Sequence, residues 1–192
     1  MNWPNRISIF RIISIPIFIT AMIYYKNAQV GEGEIYRILA IILFSLATIS
    51  DAVDGFLARF LNQKTELGVI LDPIADKFLL ASAIIVLSLP IPALNHPIPY
   101  WYVCLVIGRD FVILVGYAIV HIIMGKVRVV PSIVGKITTA FQMIVIFWTL
   151  FKLPHLYYWL SLSSIFTVYS FIGYLFFGSS QLQEHYPDRK SS

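Results

Sequence analysis

Ser50 to Lys77, SDAVDGFLARFLNQKTELGVILDPIADK, sets four carboxylates, Asp51, Asp54, Asp72 and Asp76, at the facing margins of two long apolar runs. Asp51 and Asp54 are three residues apart and Asp72 and Asp76 four apart, so in helices each pair occupies one face. The connection between the runs is short, which makes the two helices antiparallel neighbours with both pairs at one end. An aspartate at the centre of a membrane span costs about 2.5 to 3.5 kcal/mol, so four of them unpaired there would cost roughly 10 kcal/mol. Hard divalent cations such as Mg2+ or Mn2+ take all-oxygen ligand sets and remove the mutual repulsion of converging carboxylates. The spacing therefore predicts a metal site of two ions.

The rest of the chain places this segment in lipid. Of 192 residues, 58% are hydrophobic and only 12% charged, with a mean hydropathy of +0.79, too apolar for a soluble domain of this size. Six apolar runs are long enough to cross the membrane as helices: Ile7 to Tyr25, Ile35 to about Ala58, Gly68 to Leu89, Tyr100 to Gly125, Ile133 to Leu150 and Leu156 to Phe177. The expected fold is all-α, a polytopic bundle of six transmembrane helices forming one catalytic domain over 1–178, with a polar tail over 179–192 that frays into solvent. Arg6, Arg59, Lys64, Lys126, Arg128, Lys136, Arg189 and Lys190 fall on one side, and Lys26, Arg37 and Lys152 on the other. The positive-inside rule then puts both termini and the aspartates on the cytosolic side, in a bacterial setting the inner membrane. The net charge of +4 follows this topology and forms no continuous basic stripe, which argues against nucleic acid. Cys104 lies in an apolar run and reads as a buried packing thiol, and His96, His121, His155 and His185 are scattered without ligand spacing. Trp3, Trp101, Tyr157, Tyr158 and Trp159 read as interface anchors, and Trp148 as packing.

Gly55 and Ala58 continue the stripe of Asp51 and Asp54, and Gly68 lies one turn before Asp72, leaving space beside the carboxylates for a ligand or for close helix packing. The segment resembles the signature of the CDP-alcohol phosphotransferase family, matching it at Asp51, Asp54, Gly55, Ala58, Arg59, Gly68, Asp72 and Asp76. A weaker similarity covers most of the chain, beginning with Pro4, Asn5, Ser8 and Arg11. The resemblance implies a homodimeric six-helix membrane enzyme that displaces CMP from a CDP-linked substrate with an acceptor hydroxyl. It also implies that Asp51, Asp54, Asp72 and Asp76 bind two metals and that Asp76 serves as the base. Gly55, Ala58 and Gly68 would admit the CDP group, with Asp54 beside it, and Arg59 would hold the site or the nucleotide.

Two more charges fall inside a span, Arg109 and Asp110, and with Lys126, Arg128 and Lys136 they offer an anion pocket for a phosphate-bearing acceptor. The alternative is that Arg109 and Asp110 simply pair within the bundle and that the loop charges follow the positive-inside rule. The opening, the aspartate segment and the pair Gly135 and Lys136 resemble phosphatidylglycerophosphate synthases, whose acceptor is glycerol-3-phosphate. Gly108, Arg109 and Asp110, with the stretch from Pro131 through Lys136 to Thr139 and Gln142, resemble CDP-diacylglycerol-using cardiolipin synthases, whose acceptor is phosphatidylglycerol. The former usually carry Glu after the fourth-span arginine and a second arginine two turns on, where this chain has Asp110 and then Gly116 and Tyr117. The substrate expectation is thus CDP-diacylglycerol with a glycerol-type acceptor; inositol phosphate or serine is the alternative within the family. A small cation transporter is the alternative outside it, although the carboxylates crowd one end of two helices instead of lining a path across the bilayer.

Overall fold

The structure, a computed structural model, describes residues 3–29, 32–61, 66–94, 96–124 and 133–185. Six helices follow in order: α1 (Trp3–Asn27), α2 (Glu34–Leu61), α3 (Glu66–Ser88), α4 (Tyr100–Met124), α5 (Ile133–Leu150) and α6 (Leu156–His185), with no strand among the described residues. The boundaries track the apolar runs closely. The exception is α6, which continues past Gly178 to His185 through part of the stretch expected to fray. Ile9–Asn27, Tyr100–Val120, Ile133–Leu150 and Leu156–Phe176 are long and apolar enough to cross a membrane. The exterior is apolar and the polar groups turn inward: Ile122 is 81% and Phe176 72% exposed, whereas Arg11, Ser14, Thr138, Ser163, Thr167 and Ser170 are buried. That distribution inverts a soluble protein's and marks an integral membrane protein. Cys104, expected inside, is exposed on the outer face of α4, since Val106 and Arg109 set the buried face of that helix.

Two compact units make up the chain, Met1–Pro99 with Ile146–Pro154, and Tyr100–Val145 with His155–Ser192. In the first, α1 packs on both α2 and α3. Arg11, Ser14, Phe18, Met22 and Tyr25 recur at helical spacing and form the buried stripe of α1. Ala40, Phe44 and Ala47 on α2 and Ala75, Leu79 and Ala83 on α3 are buried too, the alanines letting helix backbones approach. Phe44 lies between Phe18 and Phe147, with ring centroids 6.0 and 5.1 Å away. Gly33 turns the chain into α2, and only glycine fits there, since a Cβ would stand 2.7 Å from that of Ala28.

The α2 start is tied to the α5 end by charge. Glu34 accepts from Arg37 Nε at 2.6 Å and from Lys152 Nζ at 2.6 Å, while Arg37 Nη1 donates to the Leu150 carbonyl at 2.7 Å. Tyr25 Oη bonds Glu34 at 3.3 Å and donates to the Ala93 carbonyl at 3.1 Å. Helix α5 stops in a Schellman turn: Lys152 N–H donates to Thr149 O at 3.1 Å and Leu153 N–H to Trp148 O at 3.1 Å. Such a turn needs a left-handed residue, usually glycine, yet Lys152 fills it at φ 55°. Trp148, expected only to pack, closes the same turn by donating Nε1–H to Pro154 O at 2.6 Å.

The backbone strain at Lys152 is offset by its bond to Glu34, and the two effects separate by mutation. Lys152→Ala loses the ion pair and keeps the strain, whereas Lys152→Gly loses the pair and relieves it. Thermal unfolding in detergent is therefore expected to rank Gly above Ala by about 1 kcal/mol. Hydrogen bonding from Lys152 lowers the Glu34 carboxyl below its ordinary range, against the opposing effect of burial and with help from Arg37. For Lys152, burial is the largest single effect and works toward a lower value, and the interactions with Glu34 and Tyr25 together outweigh it to give a net rise. A depressed carboxyl stabilises above its unfolded value and a raised ammonium below its own, so the pair contributes fully between about pH 5 and pH 10. Glu34→Gln is expected to cost about 1 kcal/mol or less at neutral pH, and the cost is expected to fade as acidification carries Glu34 through its lowered folded value, read from unfolding midpoints across pH.

Candidate functional site

Asp51, Asp54, Gly55, Ala58 and Arg59 lie on α2, and Gly68, Asp72 and Asp76 on α3. The side chains of all of these except Asp76 lie outside the described residues. Asp76 is half-buried on α3, between the buried Ala75 and Leu79. Among the described residues no three His, Cys, Asp or Glu side chains gather, and Asp76 is the single described member of the expected carboxylate set. The helices that carry the set belong to one compact unit, in which α1 packs against both. Buried on α1 is Arg11, fully shielded from solvent. All the donors in the expected set are carboxylate oxygens, the chemistry that suits a hard divalent cation.

The second unit is organised by a polar seam inside an apolar shell. Tyr102 Oη and Ser163 Oγ share a hydrogen bond of 2.7 Å, and Arg109 Nη2 donates to Ser170 Oγ at 2.6 Å. The two pairs are seven residues on along both helices, so α4 and α6 run parallel with a two-turn repeat. Helix α5 runs antiparallel to α6. Thr138 Oγ1 donates to the Phe166 carbonyl at 3.1 Å, and the Phe141 and Phe166 rings stack at 4.8 Å. Gly135, near the start of α5, lies close to Arg109: a Cβ on it would be 3.8 Å from Nη2 and 3.3 Å from Tyr174 Oη.

Arg109 and Asp110 do pair, with Nη1 donating to Oδ1 at 2.5 Å. The pairing does not exhaust the guanidinium. Among the described residues, one of its five N–H groups goes to Asp110 and one to Ser170, while the buried Nε has no partner. The Tyr174 ring covers it, centroid 5.4 Å from Cζ. The group is 93% shielded, as its residue is 7% exposed, and still carries unused donors near the first turn of α5, where backbone N–H groups lack intrahelical acceptors. Such an arrangement receives an anionic oxygen well. Lys136, expected beside Arg109, is exposed, and its neighbour Gly135 lies close to the guanidinium. Lys126 and Arg128 lie outside the described residues.

Ser170 and Tyr174 were not legible as partners of Arg109, because α6 reads as a uniformly apolar and aromatic run with scattered serines. The signal was there in the matched seven-residue steps, 102 to 109 and 163 to 170. Gln142 is a further buried polar group of α5, 1% exposed, with neither Oε1 nor Nε2 hydrogen bonded among the described residues. Burying an unsatisfied amide costs stability that an apolar side chain of similar size avoids. Gln142→Leu is expected to stabilise the ligand-free protein by about 1 kcal/mol, measured by thermal unfolding in detergent. A fall in the midpoint would show that the amide is satisfied.

Residues 1–176 match the family model for CDP-alcohol phosphatidyltransferase. The chain is 37% identical over 150 residues to a Bacillus subtilis protein named CDP-diacylglycerol–glycerol-3-phosphate 3-phosphatidyltransferase, covering 76% of this chain and 74% of the relative. It is 33% identical over 154 residues to a probable phosphatidylglycerophosphate synthase of Mycobacterium tuberculosis, covering 80% and 66%. A relative from Escherichia coli K12, with the same name as the first, is 30% identical over 154 residues, covering 79% and 78%.

Proposed function

The chain belongs to the CDP-alcohol phosphatidyltransferase family, and from that premise we propose that it transfers a phosphatidyl group from CDP-diacylglycerol to glycerol-3-phosphate, releasing CMP. The observation that carries this reading is the match over residues 1–176, which contains the whole aspartate segment. Relatives whose names specify glycerol-3-phosphate favour that acceptor. Asp110 after Arg109, with Gly116 and Tyr117 two turns on, keeps phosphatidylglycerol as a second reading.

All six helices span the bilayer in this reading. At 28 and 23 residues, α2 and α3 have the length for it, about 42 and 34 Å. Both termini and the aspartates face the cytosol, in a bacterial cell across the inner membrane, and two copies form a homodimer. Asp51, Asp54, Asp72 and Asp76 hold two Mg2+ or Mn2+ ions, which supply charge neutralisation at the substrate diphosphate when bound. Gly55, Ala58 and Gly68 leave room for the CDP group beside Asp54, and Arg59 holds the nucleotide. Asp76 accepts the acceptor's proton as the hydroxyl oxygen bonds to the phosphorus bearing diacylglycerol. The bond from that phosphorus to the bridging oxygen breaks, and CMP leaves with both electrons, so no covalent enzyme intermediate is required. Arg109, with Lys136, receives the acceptor's phosphate.

The test uses the purified full-length protein in detergent with CDP-diacylglycerol, Mg2+ or Mn2+, and glycerol-3-phosphate, phosphatidylglycerol, inositol phosphate or serine. Phosphatidylglycerophosphate is the expected lipid, with one CMP released for each, and chelation with EDTA is expected to stop turnover. Asp72→Asn and Asp76→Asn are each expected to lower kcat by at least about 100-fold with an unchanged unfolding midpoint. Turnover retained in both variants would remove the mechanism; metal-independent turnover would remove the ions; cation flux without CMP release would favour a transporter.

A further inference from the structure

Resting on the assignment of Arg109 to the acceptor's phosphate, we infer that Ser170 and Tyr174 of α6 are positioning residues that fix the aim of the Arg109 guanidinium, and so set the affinity for the acceptor. An arginine side chain has several rotatable bonds, and ordering it on binding costs affinity unless the protein has already ordered it. Here the order is built in from three sides. Asp110 takes Nη1, Ser170 takes Nη2 at 2.6 Å, and the Tyr174 ring lies against the guanidinium, 5.4 Å from centroid to Cζ. Ser170 is 3% exposed, so its bond to a charged donor is made away from water, where such bonds are strong.

Helix α5 leaves the space that this arrangement needs. Gly135 has no side chain where a Cβ would press Tyr174 Oη at 3.3 Å and touch Arg109 Nη2 at 3.8 Å. Among the described residues, what remains free on the guanidinium is the buried Nε–H and one N–H on each terminal nitrogen, aimed by Asp110, Ser170 and Tyr174. Ser170 and Tyr174 therefore act through Arg109. Their loss is expected to weaken acceptor binding selectively, because the nucleotide-linked substrate is held by other residues.

Steady-state kinetics on the detergent-solubilised full-length protein, varying glycerol-3-phosphate and CDP-diacylglycerol separately, tests this. Ser170→Ala is expected to raise KM for glycerol-3-phosphate about tenfold, with kcat and KM for CDP-diacylglycerol changed less than about twofold. Ser170→Thr, which keeps the hydroxyl, is expected to restore the wild-type value. Tyr174→Phe keeps the ring and is expected to be near wild type, whereas Tyr174→Leu raises the acceptor KM about threefold. Arg109→Gln separates the two levels of the argument. If it leaves the acceptor KM unchanged, the assignment of Arg109 is wrong and the inference falls with it. If it raises that KM while Ser170→Ala and Tyr174→Leu do not, the inference alone is overturned. Equal rises in both KM values for Ser170→Ala, or no rescue by threonine, would make Ser170 a packing residue and overturn it as well.

Discussion

In hydrocarbon, a polar atom without a partner has no water to fall back on, and the arrangement of this chain follows from that constraint. The helices present isoleucine, leucine and phenylalanine outward and turn serine, threonine and arginine inward. Apolar attraction cannot choose the faces, because the lipid is as apolar as the side chains. The polar stripe chooses them instead. On α1 it runs through Arg11 and Ser14; on α6 through Ser163, Thr167 and Ser170. Once Tyr102 meets Ser163 and Arg109 meets Ser170, the direction and register of α4 against α6 are fixed.

Within the first unit, α2 has charged chemistry at both ends, used in opposite ways. Its start is neutralised, since Glu34 is shared by Arg37 and Lys152 and the α5 terminal carbonyl is satisfied by Arg37. Seventeen residues further on, about 26 Å along the helix axis, Asp51 opens the carboxylate segment. The first end closes on itself; the proposed chemistry at the second requires cations from outside. A fixed first end sets the rotation of α2 about its axis, and in a continuous helix that rotation is carried to the second.

Arg109 shows how one residue serves structure and chemistry together. Its bonds to Asp110 and Ser170 hold it inside the second unit, and among the described residues they leave donors over. A guanidinium has five N–H groups in a rigid fork, so partial satisfaction leaves a defined direction of approach. Lysine, a flexible point charge, would leave none.

The sequence by itself determined the helices, because crossing a bilayer requires long apolar runs and only helices satisfy their own backbone there; α5 begins and ends at the residues its apolar run predicts. It also carried the aspartate segment, since three- and four-residue spacings are properties of one helix at a time, and the pairing of Arg109 with Asp110, which are adjacent. Tertiary structure decided what depends on two helices meeting: the Ser170 and Tyr174 partners of Arg109, the reach of Lys152 to Glu34 from a left-handed turn, and the outward position of Cys104. Those outcomes depend on helix rotation and register, and in a chain that is apolar on nearly every face, hydrophobic periodicity is too weak to specify either.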